Sequence, residues 1–75
     1  MNAEQMSASI SIVVNGETRS TTPGTTVTLL LERLGIHGGR VAIERNLQIL
    51  PRSAWNETVV ADGDRYEIVQ FVGGG

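Results

Sequence analysis

The segment Ile10-Ser11-Ile12-Val13-Val14-Asn15-Gly16 opens the patterned part of the chain. Side chains alternate along a strand, so Ile10, Ile12 and Val14 fall on one face, and Asn15-Gly16 accepts the positive φ values of a tight hairpin turn. The spacing predicts a strand that turns back on itself at 15–16. The return strand, roughly Glu17 to Thr21, is short and polar, and Pro23-Gly24 closes it with a second turn; it belongs at an exposed edge. Thr26 then caps a helix whose Val27, Leu30, Leu31 and Leu34 stand at i, i+3, i+4 and i+7, one continuous apolar stripe. Gly35 can turn left-handed to end it, and Ile36 can fold back on its last turn. A stripe of that kind needs a sheet to cover it.

Working outward, His37-Gly38-Gly39 reads as a connector and Val41-Ala42-Ile43 as a strand, with a bend at Arg45-Asn46. Gln48-Ile49-Leu50 is a shorter run stopped by Pro51, and Pro51 to Trp55 is a turn or short helical twist. Thr58-Val59-Val60 leads to the next turn. Asp62-Gly63-Asp64 is a turn signal, followed by a last strand from Tyr66 to Val72. Hairpin, helix, strand, short strand, strand around one core is an α+β order with a mixed sheet of about four or five strands, the helix covering one face. This order resembles the β-grasp fold of ubiquitin-like proteins. The resemblance implies that the first and last strands lie side by side in the middle of the sheet. The expected organisation is a flexible leader at 1–8, a β-grasp domain at 9–72 and a flexible glycine tail at 73–75.

Composition narrows the function. Seventy-five residues with six basic and eight acidic groups, a net charge of −2 and 40% apolar content leave room for one small core. There is no cysteine and one histidine, which excludes a disulfide staple, a thiolate metal site and an imidazole cage. The six basic residues are arginines at 19, 33, 40, 45, 52 and 65, scattered rather than striped, so nucleic acid is not an expected partner. No apolar run approaches the roughly 20 residues that span a bilayer, so no membrane partner is expected either. The first six residues carry an acid, no base and no apolar run, unlike an export signal, which makes the cytoplasm the expected compartment.

The chemistry-bearing feature is Phe71-Val72-Gly73-Gly74-Gly75. Three residues without Cβ extend about 10 Å and make little lateral demand on space, so they can thread a narrow site and present a main-chain carboxylate. Taken alone, three glycines are equally compatible with a frayed end. A carboxylate is a poor electrophile until it is joined to AMP, after which a sulfur nucleophile can displace the AMP and leave a thiocarboxylate.

Val41-Ala42-Ile43-Glu44-Arg45-Asn46-Leu47-Gln48-Ile49-Leu50-Pro51-Arg52-Ser53-Ala54-Trp55 resembles the segment typical of the ThiS family of sulfur carriers. In that family a hydrophobic strand reaches an asparagine, and an apolar-Pro-Arg-x-x-Trp stretch follows. Asp62-Gly63-Asp64, the apolar last strand and Gly74-Gly75 extend the resemblance to nearly everything after residue 9. Arg45 stands where many members have a smaller or apolar residue, and Gly73 is an additional glycine. The resemblance implies a carrier rather than an enzyme. Gly75 would be the adenylated and sulfur-bearing residue, with Gly73 and Gly74 as its mount and no stably bound cofactor. Implied partners are an E1-like adenylating enzyme using ATP and magnesium, a sulfurtransferase or cysteine desulfurase, and thiazole synthase, which forms the thiazole phosphate of thiamine. The rivals are a related carrier for molybdopterin or cysteine synthesis and a ubiquitin-like module that carries no sulfur.

On the last strand Tyr66 and Ile68 share the core face, while Val69 and Phe71 share the other, where a small sheet has no second layer. That pair is the candidate docking surface; the alternative is local cover by neighbouring side chains. Ser53, His37 and Asp62 lack the nucleophile elbow of a catalytic triad. Trp55 is expected to cap the core, and Arg52 to pair locally with an acid such as Glu57 or with a partner carboxylate. Gly38-Gly39 lacks the lysine and following helix of a phosphate loop and reads as a connector.

Overall fold

The computed structural model describes residues 9–37 and 39–71. The leader at 1–8, Val72 and the tail at 73–75 lie outside the described residues. β1 (Ile10–Val14) and β2 (Glu17–Thr21) form the expected hairpin, and Asn15 and Gly16 take φ values of 49° and 85°. The short helix α1 (Val27–Arg33) follows, then β3 (Arg40–Arg45), β4 (Gln48–Ile49), a 3-10 turn at Arg52–Ala54 and β5 (Arg65–Phe71). The sheet order is β2-β1-β5-β3-β4, with β1 and β5 parallel at the centre and every other pairing antiparallel. This is the β-grasp arrangement, with polar β2 at an edge.

Both ends of α1 are closed by the residues expected to do so. Thr26 Oγ1 accepts from the Leu29 amide at 3.2 Å, satisfying one of the unpaired donors of the first turn. At the other end Gly35 sits at φ 80°, its amide donating to Glu32 O and the Ile36 amide to Leu31 O, the paired bonds of a Schellman cap. Ile36 packs against the core as it folds back. Arg33 Nη1 reaches the hydroxyls of Thr21, Thr22 and Thr25 at 3.1–3.2 Å, tying the helix to the loop that precedes it.

Val27, Leu30 and Leu31 bury against Ile12 and Val14 of β1, Ile43 of β3 and Tyr66 and Ile68 of β5, with Trp55 and Val60 closing the cluster. Removing these side chains from water is the main favourable term holding the fold together. Trp55 does more than cap this core: it is buried within it, and its Nε1 donates to Leu50 O at 3.0 Å.

Two local expectations shift. The bend after β3 falls at Asn46-Leu47, one residue later than anticipated, because Arg45 remains in the strand and pairs with Gln48. Asn46 and Leu47 adopt φ values of 52° and 72°, as a two-residue mirror-image turn requires. Leu50 lies beyond β4, although its amide still donates to Ile43 O at 2.8 Å. Thr58-Val59-Val60 lies outside the sheet. It makes an isolated bridge between Val59 and Thr26, and Thr58 O accepts from the Val27 amide at 2.9 Å, so β-branched residues here serve the start of α1.

Candidate functional site

The face of the sheet turned away from α1 follows from register. Ala42 and Glu44 of β3 pair with Val69 and Glu67 of β5, Arg40 pairs with Phe71, and Ile49 of β4 lies opposite Glu44. Alternation puts all of these side chains on the outer face. Val69 is 51% exposed, Phe71 57% and Ile49 79%. Neighbouring side chains therefore leave Val69 and Phe71 open, as the docking reading requires. Ala42, Glu44, Ile49, Pro51, Glu67 and Val69 line a groove of about 330 Å³ on this side.

β5 carries this face towards the glycines. On one side it pairs with β3 through to Phe71. On the other, β1 pairs only with Arg65 and Tyr66, after which the Asn15 side chain takes over: its Oδ1 accepts from the Ile68 amide at 2.7 Å and its Nδ2 donates to Ile68 O at 3.1 Å. Val69 to Phe71 thus run on beyond β1, held by β3 alone. Gly73, Gly74 and Gly75, the predicted reactive tail, lie outside the described residues.

Behind the face is a buried polar hub that the sequence reading took only as a turn. Asp64 is 5% exposed. Its Oδ2 accepts from Tyr66 Oη at 2.7 Å, the Ala61 amide at 2.9 Å and Arg45 Nε at 3.0 Å, while Oδ1 accepts from Asn46 Nδ2 at 3.1 Å. Burial opposes its charge, yet the Ala61 amide, Tyr66, Asn46 and Arg45 together hold its carboxyl below the usual carboxylate range. Tyr66 is pushed well above the ordinary phenol, by burial first and then by Asp64. Asn46 Oδ1 also accepts from the Arg65 amide at 2.9 Å, so the hub locks the β3–β4 turn to the start of β5.

Arg52 departs from its expected pairing with Glu57. Its guanidinium lies 4.6 Å from the centre of the Trp55 ring and donates to Gly39 O at 3.2 Å, because a stacking face and a free carbonyl are both at hand. Asp62 Oδ1 accepts from the Ser11 amide at 2.8 Å, a turn device, and among the described residues no hydrogen bond links it to Ser53 or His37. Among those residues, too, no helix is long and apolar enough to cross a membrane.

Fold and face together define a ubiquitin-like β-grasp domain whose central strand leads, past an exposed apolar patch, towards a glycine end. The ThiS family model matches residues 12–75, and the chain belongs to the ThiS family, the sulfur carriers of thiamine biosynthesis. It is 36% identical over 64 residues to the sulfur carrier protein ThiS of Escherichia coli, covering 85% of this chain and 97% of that one. The crystal structure of the thiamine biosynthesis protein ThiS from Geobacter metallireducens superposes with a TM-score of 0.71 at 35% identity, covering 88% of this chain and all of the other. A thiazole synthase of Paramagnetospirillum magneticum is 48% identical over 64 residues, 85% of this chain. The chain spans only 20% of the length of that relative.

Proposed function

We propose that this chain carries sulfur on the carboxyl group of Gly75 for the thiazole-forming step of thiamine biosynthesis. An E1-like enzyme binds ATP and magnesium; the Gly75 carboxylate attacks the α-phosphorus, pyrophosphate leaves, and an acyl adenylate remains. The outer sulfur of a persulfide on a sulfurtransferase or cysteine desulfurase adds at the carbonyl carbon and expels AMP, and a thiol then attacks the resulting acyl disulfide, releasing the thiocarboxylate and leaving a new disulfide behind. The thiocarboxylate then donates its sulfur to thiazole synthase. The carrier is a co-substrate throughout, with the nucleotide in its partner's site, and the proposed compartment is the cytoplasm. Gly73 and Gly74 give the carboxyl a mount narrow enough to enter those sites.

The observation that carries this reading is the family match running through Gly75, together with a face that presents Val69 and Phe71 on the strand leading to it. The test is to incubate the chain with its adenylating enzyme, ATP and a sulfur source and to weigh the intact protein. A gain equal to oxygen replaced by sulfur is expected; no gain, with the enzyme active on a control carrier, contradicts the reading.

Docking through the outer face has its own consequence. Phe71→Ser should raise the KM for the carrier about 10-fold to 100-fold, because apolar anchors near the centre of an interface carry a disproportionate share of its energy. The thermal midpoint should move little, since Phe71 is outside the core cluster. An unchanged KM removes Phe71 from the docking surface.

A further inference from the structure

Two parallel strands of unequal reach meet at the centre of the sheet. β1 ends at Val14, while β5 runs to Phe71, and β1 pairs only with Arg65 and Tyr66. The Val13 amide donates to Asp64 O at 2.9 Å and the Asn15 amide to Tyr66 O at 2.8 Å, bonds from every second residue as in any parallel ladder. Carrying β1 straight on would next join the Ile68 amide to Asn15 O and the Glu17 amide to Ile68 O. The backbone cannot make these bonds, because Asn15 and Gly16 turn away at φ 49° and 85° into β2.

The side chain of Asn15 makes both contacts to Ile68 instead. Its Oδ1 accepts from the Ile68 amide at 2.7 Å and its Nδ2 donates to Ile68 O at 3.1 Å. A primary amide offers the same acceptor and donor as a peptide group, so one side chain supplies the rung that β1 lacks. The turn alone does not account for this residue. A turn of this kind needs positive φ, which glycine supplies at lower cost; what glycine lacks is the amide that reaches Ile68.

This clamp lies at the base of the reacting end. β3 holds one side of β5 as far as Phe71, so up to Ile68 the strand is gripped from both sides and beyond it from one. Without the Asn15 amide the two-sided grip retreats to Tyr66, and the singly held stretch of β5 grows from residues 69–71 to residues 67–71. The chain from Ile68 to Gly75 is the arm that carries the carboxylate, and the orientation of its base limits the positions that carboxylate can sample.

We propose that Asn15 is a positioning residue for loading: by standing in for the missing rung of β1, its side chain fixes the direction in which β5 delivers the glycine tail to the adenylating enzyme. The assignment rests on the carrier reading. Asn15 acts through Ile68 and not on the reacting carbon, so it governs the rate of attack on the α-phosphorus, whereas Val69 and Phe71 govern docking.

The experiment compares the wild type, Asn15→Gly and Ile12→Val in single-turnover adenylation with the adenylating enzyme in excess, reading pyrophosphate release, and follows amide hydrogen exchange on the same three proteins. Asn15→Gly keeps the turn and removes the clamp. Its maximum rate should fall about 10-fold or more, with the half-saturating enzyme concentration within about twofold, because a displacement of about an ångström at a reacting group costs on the order of 100-fold. Exchange should quicken at the Ile68 amide while Ile12 and Ile43, both in the core, keep their protection. Ile12→Val loses a buried methylene and some thermal stability without touching the clamp, and it should load at the wild-type maximum rate. A wild-type maximum rate in Asn15→Gly overturns the proposal, as does unaltered exchange at Ile68. So does an equal slowing in Ile12→Val, which would make loading a matter of stability alone. A raised half-saturating concentration at an unchanged maximum rate would assign Asn15 to docking and overturn it too. In each of these cases, charging of the wild type leaves the carrier reading standing. If the wild type is not charged by an enzyme active on a control carrier, both readings fall.

Discussion

Deleting Gly75 is expected to abolish sulfur loading while leaving the domain folded. The shortened chain still ends in a carboxylate on glycine, so its intrinsic chemistry is unchanged. What changes is reach: the reacting carbon is drawn back by about 3.5 Å, and a displacement of even an ångström from an in-line attack geometry costs on the order of 100-fold. The core cluster draws on residues no later than Ile68, so the thermal midpoint should stay where it is. Intact-mass measurement after incubation with ATP and a sulfur source reads the result, and normal charging of the truncated chain would show that Gly75 is not the site. Gly74→Val probes the mount separately. It restores full length but adds a branched side chain where a narrow channel is expected to admit none, so loading should again fail with the fold intact.

Legibility in the sequence followed the range of the interactions. The β1–β2 hairpin, the Thr26 cap, the apolar stripe of α1 and the Gly35 stop each depend on neighbours within a few residues, and each stands where the pattern put it. The inward and outward faces of β5 were also legible, because alternation is a property of one strand. Misreadings occurred where a distant group competed. Arg45 looked like the first residue of a bend, but its bond to Asp64 and its pairing with Gln48 keep it in β3. Arg52 had Glu57 within reach along the chain, yet Trp55 and the Gly39 carbonyl claim it. Thr58 to Val60, to which local pattern assigned no element, serve the start of α1, where the Val27 amide donates to the Thr58 carbonyl.

Asp64 was hidden for a related reason. In Asp62-Gly63-Asp64 either acid could make the turn, and a turn was all that local sequence could indicate. Asp62 binds the Ser11 amide, leaving Asp64 for the interior. The facing of Glu44 and Glu67 was beyond sequence patterning altogether, because it depends on the register between β3 and β5, strands separated by the β4 hairpin and the 3-10 turn. The candidate face was therefore legible in its apolar half, Val69 and Phe71, and not in its charged half. Ile49 was likewise read as part of a short strand without a side, since two-residue β4 is too brief for alternation to assign one.

The hub predicts the largest loss of stability. Asp64→Ala leaves Tyr66 Oη, Arg45 Nε, Asn46 Nδ2 and the Ala61 amide without their common acceptor. Removing one partner from a buried, charged network costs about 3–5 kcal/mol, against roughly 4–11 kcal/mol for a whole domain of this size. The variant should lose roughly half of its urea midpoint, as circular dichroism and urea titration will show. Asp64→Asn isolates the charge. Because the folded-state pKa of Asp64 lies below that of an unfolded aspartate, near 3.9, its contribution is complete above about pH 5 and is lost as pH falls through the folded value. Urea midpoints measured from pH 7 down to pH 2 should fall for the wild type, and the gap between the two proteins should close with acidity. A gap that stays constant over that range would mean that hydrogen-bond geometry alone, without the charge, accounts for what Asp64 does. On the alkaline side the phenol of Tyr66, raised in the folded state, makes the opposite demand: its contribution is intact below pH 10 and is lost as pH rises beyond it, and Tyr66→Phe should flatten that limb while leaving the acid limb of Asp64 in place.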